Sequence, residues 1–135
     1  MNPGDATPVV SPPARLRHDL LTPLNGVIGY AGILLEDAAD LGHGELLERL
    51  EDVRSGARAL ADAVRAALDG RMDAPALQTA VGRLRGECEG PARGLAVAVR
   101  ALRTGLGEED AAALGEDLDR IAVSARAFVH ALSRA

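Results

Sequence analysis

His18 and Asp19 stand side by side in the stretch "LRHDLLTPLNGVIGY", with Thr22 four residues after the histidine and Pro23 directly beyond it. An imidazole next to a carboxylate is suited to nucleophilic attack on phosphorus. The carboxylate holds one ring nitrogen protonated and leaves the other free to attack. A histidine on its own is most often a solvated or structural residue, and its neighbours are what mark this one. Thr22, one helical turn later, falls on the same face as His18. Pro23 removes the N–H that would bond to the carbonyl of Asp19 and clashes with that carbonyl, so a helix through this stretch is expected to bend one turn after His18.

The elements that must position these residues read as helices. Residues 1–11 are rich in proline and show no periodicity, which predicts a disordered tail. Ser11 followed by Pro12 fits an N-cap and a first helical position, because proline lacks only an N–H that the first turn leaves unbonded anyway. From there Leu16, Leu20, Pro23, Val27, Tyr30 and Leu34 recur at alternating spacings of three and four, the seam of a bundle helix. In that register His18 falls at heptad position f, far from the seam, with Thr22 at c and Asp19 at g. After a turn within "EDAADLGHGE" the pattern resumes at Leu46, Leu50, Val53, Ala57, Leu60 and Val64, completing a helical hairpin over residues 12–68. Gly70 reads as a stop, and Asp73 with Pro75 as a restart. A second hairpin over residues 75–135 carries Leu84, Cys88, Pro91, Leu95, Ala98 and Leu102, then Leu114, Leu118, Ile121, Ala125, Phe128 and Leu132. The acidic run Glu108 to Asp110 suits the N-terminus of its second helix.

The two sets of seam residues differ by a constant 68 positions, and an ungapped overlay of residues 16–67 on 84–135 gives 13 identities in 52 pairs. That is about twice the number expected by accident from so Ala- and Leu-rich a chain, and bundle periodicity accounts for part of the excess. The matched pairs Leu16/Leu84, Arg17/Arg85 and Pro23/Pro91 are less readily ascribed to periodicity: two independent hairpins rarely place a proline seven residues after the same Leu-Arg pair. A tandem duplication is the reading adopted. In the second copy "LRHDLLTPLNG" becomes "LRGECEGPARG", with Gly86, Glu87 and Gly90 where His18, Asp19 and Thr22 stand in the first.

Composition narrows the class. At 135 residues the chain suits one domain with a modest core, and with Tyr30 and Phe128 its only aromatics that core must come from Leu, Ala, Val and Ile. An all-α fold, an antiparallel four-helix bundle made of two fused hairpins, is expected. The net charge is −5 and the arginines are scattered among acids, which disfavours nucleic acid. No apolar run approaches the length of a membrane span and no secretion signal is evident, so a cytoplasmic, membrane-free protein is expected. Cys88 alone makes neither a disulfide framework nor a metal site and reads as a small buried residue. His43 and His130 read as solvated.

"HDLLTPLNGVIGY" resembles the H-box of the dimerisation and histidine phosphotransfer domain of sensor histidine kinases, a pattern close to H-[ED]-x-[RK]-[TN]-P-L-x-x-I. His18, Asp19, Thr22, Pro23 and Leu24 fit it, Val27 takes the place of the final isoleucine with Ile28 directly after it, and Leu21 stands where the family usually has a basic residue. The resemblance covers about residues 12–68 and extends to the rest only through the repeat. It implies that His18 accepts and donates a phosphoryl group, that Asp19 assists, and that Thr22 matches the position orienting water toward a partner's aspartyl phosphate in members with phosphatase activity. In that family the domain is a homodimer whose two hairpins form a four-helix bundle. A duplicated hairpin would supply both halves from one chain, which implies a monomeric pseudo-dimer with one active face.

The kinases of that family carry an ATP-binding domain after the hairpin, and this sequence contains none, nor any phosphate-binding loop or metal-ligand cluster. The expected function is therefore a phosphorelay one, not that of an autonomous kinase: His18 carries a phosphoryl group between a separate histidine kinase, acting in trans, and the aspartate of a response-regulator receiver domain. No bound cofactor is expected, and Mg²⁺ would enter only with the partner. Leu21, Leu24, Asn25 and Ile28 are the expected receiver-docking residues, Leu21 and Ile28 lying at b positions and Leu24 at e; Leu21 is the leading candidate, and for Leu24 and Ile28 a widened core stripe is an equal alternative. Pro23 and Pro91 are the structural kinks. The competing readings are a non-catalytic scaffold derived from a kinase, in which His18 is a relic, and a receiver phosphatase that depends on Thr22.

Overall fold

Ser11 opens the first helix as its sequence requires: its side chain accepts a hydrogen bond from the backbone N–H of Ala14, and proline occupies the first helical position. In the computed structural model, which describes residues 11–135, the chain forms α1 (Pro12–Asp40), α2 (Gly44–Ala67), α3 (Ala74–Thr104) and α4 (Glu108–Arg134). Most of the expected disordered tail, residues 1–10, lies outside the described residues. Asp73 caps α3 through the N–H of Ala76 at 2.9 Å, with Pro75 in the first turn behind it. Glu108, Glu109 and Asp110 fill the first turn of α4, where carboxylates meet the positive end of the helix dipole. Gly42 and Gly70, at φ +74° and +81°, supply the left-handed positions that turn the chain after α1 and after α2.

Each helix packs on two others, α1 on α2 and α4, and α3 on α4 and α2. The result is the expected antiparallel four-helix bundle, with no strand among the described residues. Its core is aliphatic apart from Phe128 and Cys88, and no polar or charged side chain is buried among the described residues. The expected seams of α2 and α4 are all buried, from Leu46 to Val64 and from Leu114 to Leu132.

The seams of α1 and α3 run one residue away from the expected line at two places. Leu24 and Ala31 are fully buried, while Pro23 and Tyr30 are only partly covered. The same shift recurs in α3, where Ala92 and Val99 are buried while Pro91 and Ala98 are exposed. In α1 a rigid pyrrolidine and a phenol whose hydroxyl needs a partner pack less well at the centre than Leu and Ala. In α3 the larger apolar side chain of Val99 takes the centre in place of Ala98. Tyr30 moves to the edge, where the Arg120 guanidinium of α4 lies 5.8 Å from its ring centroid. Leu24, expected to face a partner, therefore belongs to the core.

A second departure concerns the turns. The segment "EDAAD", expected to belong to the turn, continues α1 for another turn and buries Ala38. Both hairpins join their helices with three residues, Leu41–His43 and Gly105–Gly107, yet these loops are 64 positions apart rather than 68. The offset of four is about one helical turn, so the loop slides along the bundle while the buried faces keep their register. The buried positions Leu20, Leu24, Val27, Ala31 and Leu34 answer to Cys88, Ala92, Leu95, Val99 and Leu102 at the constant spacing of 68.

The core of α1 generates a direct comparison. Leu24→Ala should destabilise the fold by about 2–5 kcal/mol, as deletions of buried leucine do, whereas Leu21→Ala, at a half-buried position, should cost clearly less; urea denaturation of the two variants measures the difference. Cys88 is 2% exposed, and burial, followed by the neighbouring charge of Glu87, raises its thiol pKa. It should resist a disulfide reagent in the native protein at neutral pH and react fully once denatured.

Candidate functional site

The line Leu20, Leu24 and Val27 that buries α1 leaves the opposite side of the helix to solvent, and His18, Asp19 and Thr22 all lie there, exposed. Pro23, partly covered, sits at the margin. Across from them the outer face of α4 contributes Val123, Ser124, Ala127 and Ala131, and together these residues line an open groove beside His18. The α4 wall is built of short side chains, so the imidazole is approached from the side without obstruction.

Two locations on this face follow from the helix itself. Consecutive residues diverge by about 100° around a helix, and no hydrogen bond joins the His18 ring to the Asp19 carboxylate among the described residues. The carboxylate that was expected to hold a ring nitrogen is adjacent but not engaged. Thr22 does engage: its Oγ1 donates to the backbone carbonyl of His18 at 2.8 Å. Its proton is committed to the helix, leaving only oxygen lone pairs for a ligand. This contact sits where the ladder is weakened, since Pro23 offers no N–H to the Asp19 carbonyl. The helix nevertheless continues through Pro23, as α3 does through Pro91.

The expected docking residues are not alike. Asn25 is exposed, Leu21 and Ile28 are half-buried against the core, and Leu24 is wholly inside. Only Asn25 and the outer edges of Leu21 and Ile28 remain available to a partner on this face. In the second hairpin Gly86, Glu87 and Gly90 occupy the positions of His18, Asp19 and Thr22 and are likewise exposed.

What holds the face in place includes two residues whose role was not foreseen. Arg17, one position before His18, donates from Nη1 to the carbonyl of Leu68, just past the end of α2, at 3.2 Å. Arg85, its counterpart, donates from Nε to the carbonyl of Leu132 near the end of α4, also at 3.2 Å. A guanidinium satisfies a carbonyl there and meets the negative end of a helix dipole. Arg17 and Arg85 were visible as an identical pair in the overlay, but an identity does not reveal a contact across 51 residues.

The remaining histidines differ from each other. His43 was expected to be solvated, yet its Nε2 lies 2.8 Å from Oδ2 of Asp110, tying the α1–α2 loop to the first turn of α4. His130 is exposed, with Arg134 Nη1 at 3.1 Å from its Nε2. Among the described residues no group of three or more His, Cys, Asp or Glu side chains is placed to hold a metal ion, and no helix is long and apolar enough to cross a membrane. In comparisons with known proteins, no family model, curated protein or solved structure matches this chain.

Proposed function

We propose that the protein is a histidine phosphotransfer module in which His18 carries a phosphoryl group between a histidine kinase acting in trans and the aspartate of a receiver domain. The observation that carries this reading is the exposed imidazole of His18 on the outer face of α1, with Asp19, Thr22 and Pro23 around it in the order of the H-box and small side chains opposite. In this reading the two hairpins descend from one duplicated unit, and the second has kept the scaffold but not the nucleophile. The equal spacing of buried positions and the paired contacts of Arg17 and Arg85 support that descent.

In the transfer, the unprotonated ring nitrogen of His18 attacks the phosphorus of the partner's phosphohistidine or aspartyl phosphate. A P–N bond forms, the partner's P–N or P–O bond breaks, and the electron pair leaves with the partner's imidazole or carboxylate. The proton stays on the other ring nitrogen. Asp19 supplies negative potential near that nitrogen and becomes its hydrogen-bond acceptor when the side chains reorient on docking. Onward transfer reverses the roles, with a receiver carboxylate as nucleophile. Mg²⁺ and nucleotide belong to the partners. Leu21, Asn25 and Ile28 contribute what apolar and polar contact the α1 face offers a receiver. Thr22 serves the helix first, which weighs against the phosphatase reading.

Incubation with the small phosphodonor phosphoramidate, or with a phosphorylated kinase or receiver, should place an acid-labile, base-stable phosphoryl group on His18. His18→Ala should abolish the label and His130→Ala should keep it, as read by mass spectrometry and ³¹P NMR. A wild-type His18 that stays unlabelled by every donor would remove this reading. A His18→Ala variant that retains signalling and partner binding would leave a scaffold module in its place. Because the second hairpin covers the surface a lone hairpin would bury against a twin, light scattering should find a monomer.

A further inference from the structure

The outer groove between α3 and α4 differs from the rest of the surface. Val97 and Val123 face it at 67% and 58% exposure, two of the four large apolar side chains left exposed among the described residues. Arg93, Arg100 and Arg103 of α3 and Arg126 of α4 stand along it. Asp119 is the one carboxylate in its lining, and it is occupied by Arg103 at 2.9 Å. Arg93 reaches Glu89 at 3.2 Å, while Arg100 and Arg126 make no ion pair among the described residues. The chain as a whole has net charge −5, so this concentration of cations is local.

The first hairpin shows that the bundle does not require this arrangement. At the equivalent positions, 68 residues earlier, Asn25, Gly32 and Leu35 replace the three arginines of α3, and Gly29 and Ser55 replace the two valines. Arg58 alone preserves a cation, matching Arg126. The arginines and exposed valines of this groove therefore belong to the second hairpin, which has Gly86 in the place of His18.

We propose that this groove docks an amphipathic helix of a partner protein, its apolar stripe on Val97 and Val123 and its flanking Asp or Glu side chains on Arg93, Arg100 and Arg126. From Arg93 to Arg103 the wall rises about 15 Å, close to three turns of an incoming helix. Every basic residue of the chain is arginine, whose planar fork engages carboxylates bidentately. Outside the groove the acids outnumber the arginines, so the net field favours an acidic partner at this groove over the rest of the surface. The groove shares Val123 with the wall opposite His18, but His18 does not line it and the docking requires no phosphoryl transfer.

The test uses the full chain and a fluorescent, stapled helical peptide with leucine at i, i+4 and i+7 and glutamate on both flanks, alongside a control with lysine for each glutamate. Fluorescence anisotropy should show the acidic peptide binding at least about tenfold more tightly than the basic one. Arg100→Glu combined with Arg126→Glu should erase or invert that preference, while His18→Ala leaves it intact. Both arginines are exposed, and circular dichroism should report an unchanged fold for the double variant. Equal affinity for the two peptides overturns the proposal, as does binding that the double reversal leaves untouched. A clear preference for vesicles containing anionic lipid would assign the groove to a membrane surface instead, and self-association abolished by the double reversal would assign it to a second copy of the chain.

Discussion

The structure depends on one constraint: four amphipathic helices must hide their aliphatic faces in a core that contains no buried polar or charged side chain among the described residues. Leucine, valine and alanine attract one another without direction, so such a core resists unfolding better than it resists sliding. Direction has to come from the ends. Ser11 and Asp73 define where α1 and α3 begin, Arg17 ties the first turns of α1 to the end of α2, and Arg85, farther along α3, reaches the end of α4. Because Arg17 adjoins His18, the contact that sets the register also fixes the height of His18 on the bundle.

Much of this was legible in the sequence, for local reasons. Caps, the Gly70 stop and the heptad lines of α2 and α4 are encoded within a few residues of where they act, and the structure places them as expected. Cys88 inside the core follows from its place in a leucine line. The choice between Pro23 and Leu24, or between Tyr30 and Ala31, is different in kind. Both members of each pair lie near the seam, and the decision rests on α4, which offers Tyr30 an arginine to stack on at the edge and leaves the centre to smaller side chains. The contact between His43 and Asp110 was hidden for the same reason, since it joins two loop ends far apart in the chain. On the candidate site, His18, Asp19, Thr22 and Asn25 were correctly expected at the surface, while Leu24 was not. The small α4 residues that open the groove belong to the other hairpin and carry no local signal.

The two seams where hairpin meets hairpin are also unequal. Between α1 and α4, Tyr30 fills the edge under Arg120, and Ser124 approaches so near that a Cβ on Gly26 would lie 3.0 Å from its Oγ. Between α2 and α3 the equivalent residues are Ala98, Asp52 and Gly56, and the edge is left as an apolar groove bordered by Pro91, Gly94 and Leu95. The aromatic and the hydroxyl thus brace the helix that bears His18, while its counterpart α3 is packed less tightly. Under the proposed phosphotransfer, presentation of the His18 ring nitrogen would gain from the more closely packed side.

Differences between the two hairpins follow the same division. Gly86 and Gly90 stand where His18 and Thr22 stand in the first hairpin, and a Cβ at either would meet nothing within 4 Å, so packing does not demand glycine there. Each costs about 1 kcal/mol of helix propensity relative to alanine, and α3 tolerates this because Leu84, Cys88 and Ala92 bury the opposite face through the same two turns. What stays unchanged around them is the set that bears on position: Leu84, Arg85 and Pro91. Both halves keep the spacing and the apolar character of the buried positions although many of the side chains differ, as at Leu20/Cys88 and Leu24/Ala92, while the outward faces carry a histidine with its neighbours on one side and arginines with exposed valines on the other. The core constrains which faces point outward and leaves the chemistry on those faces free to differ.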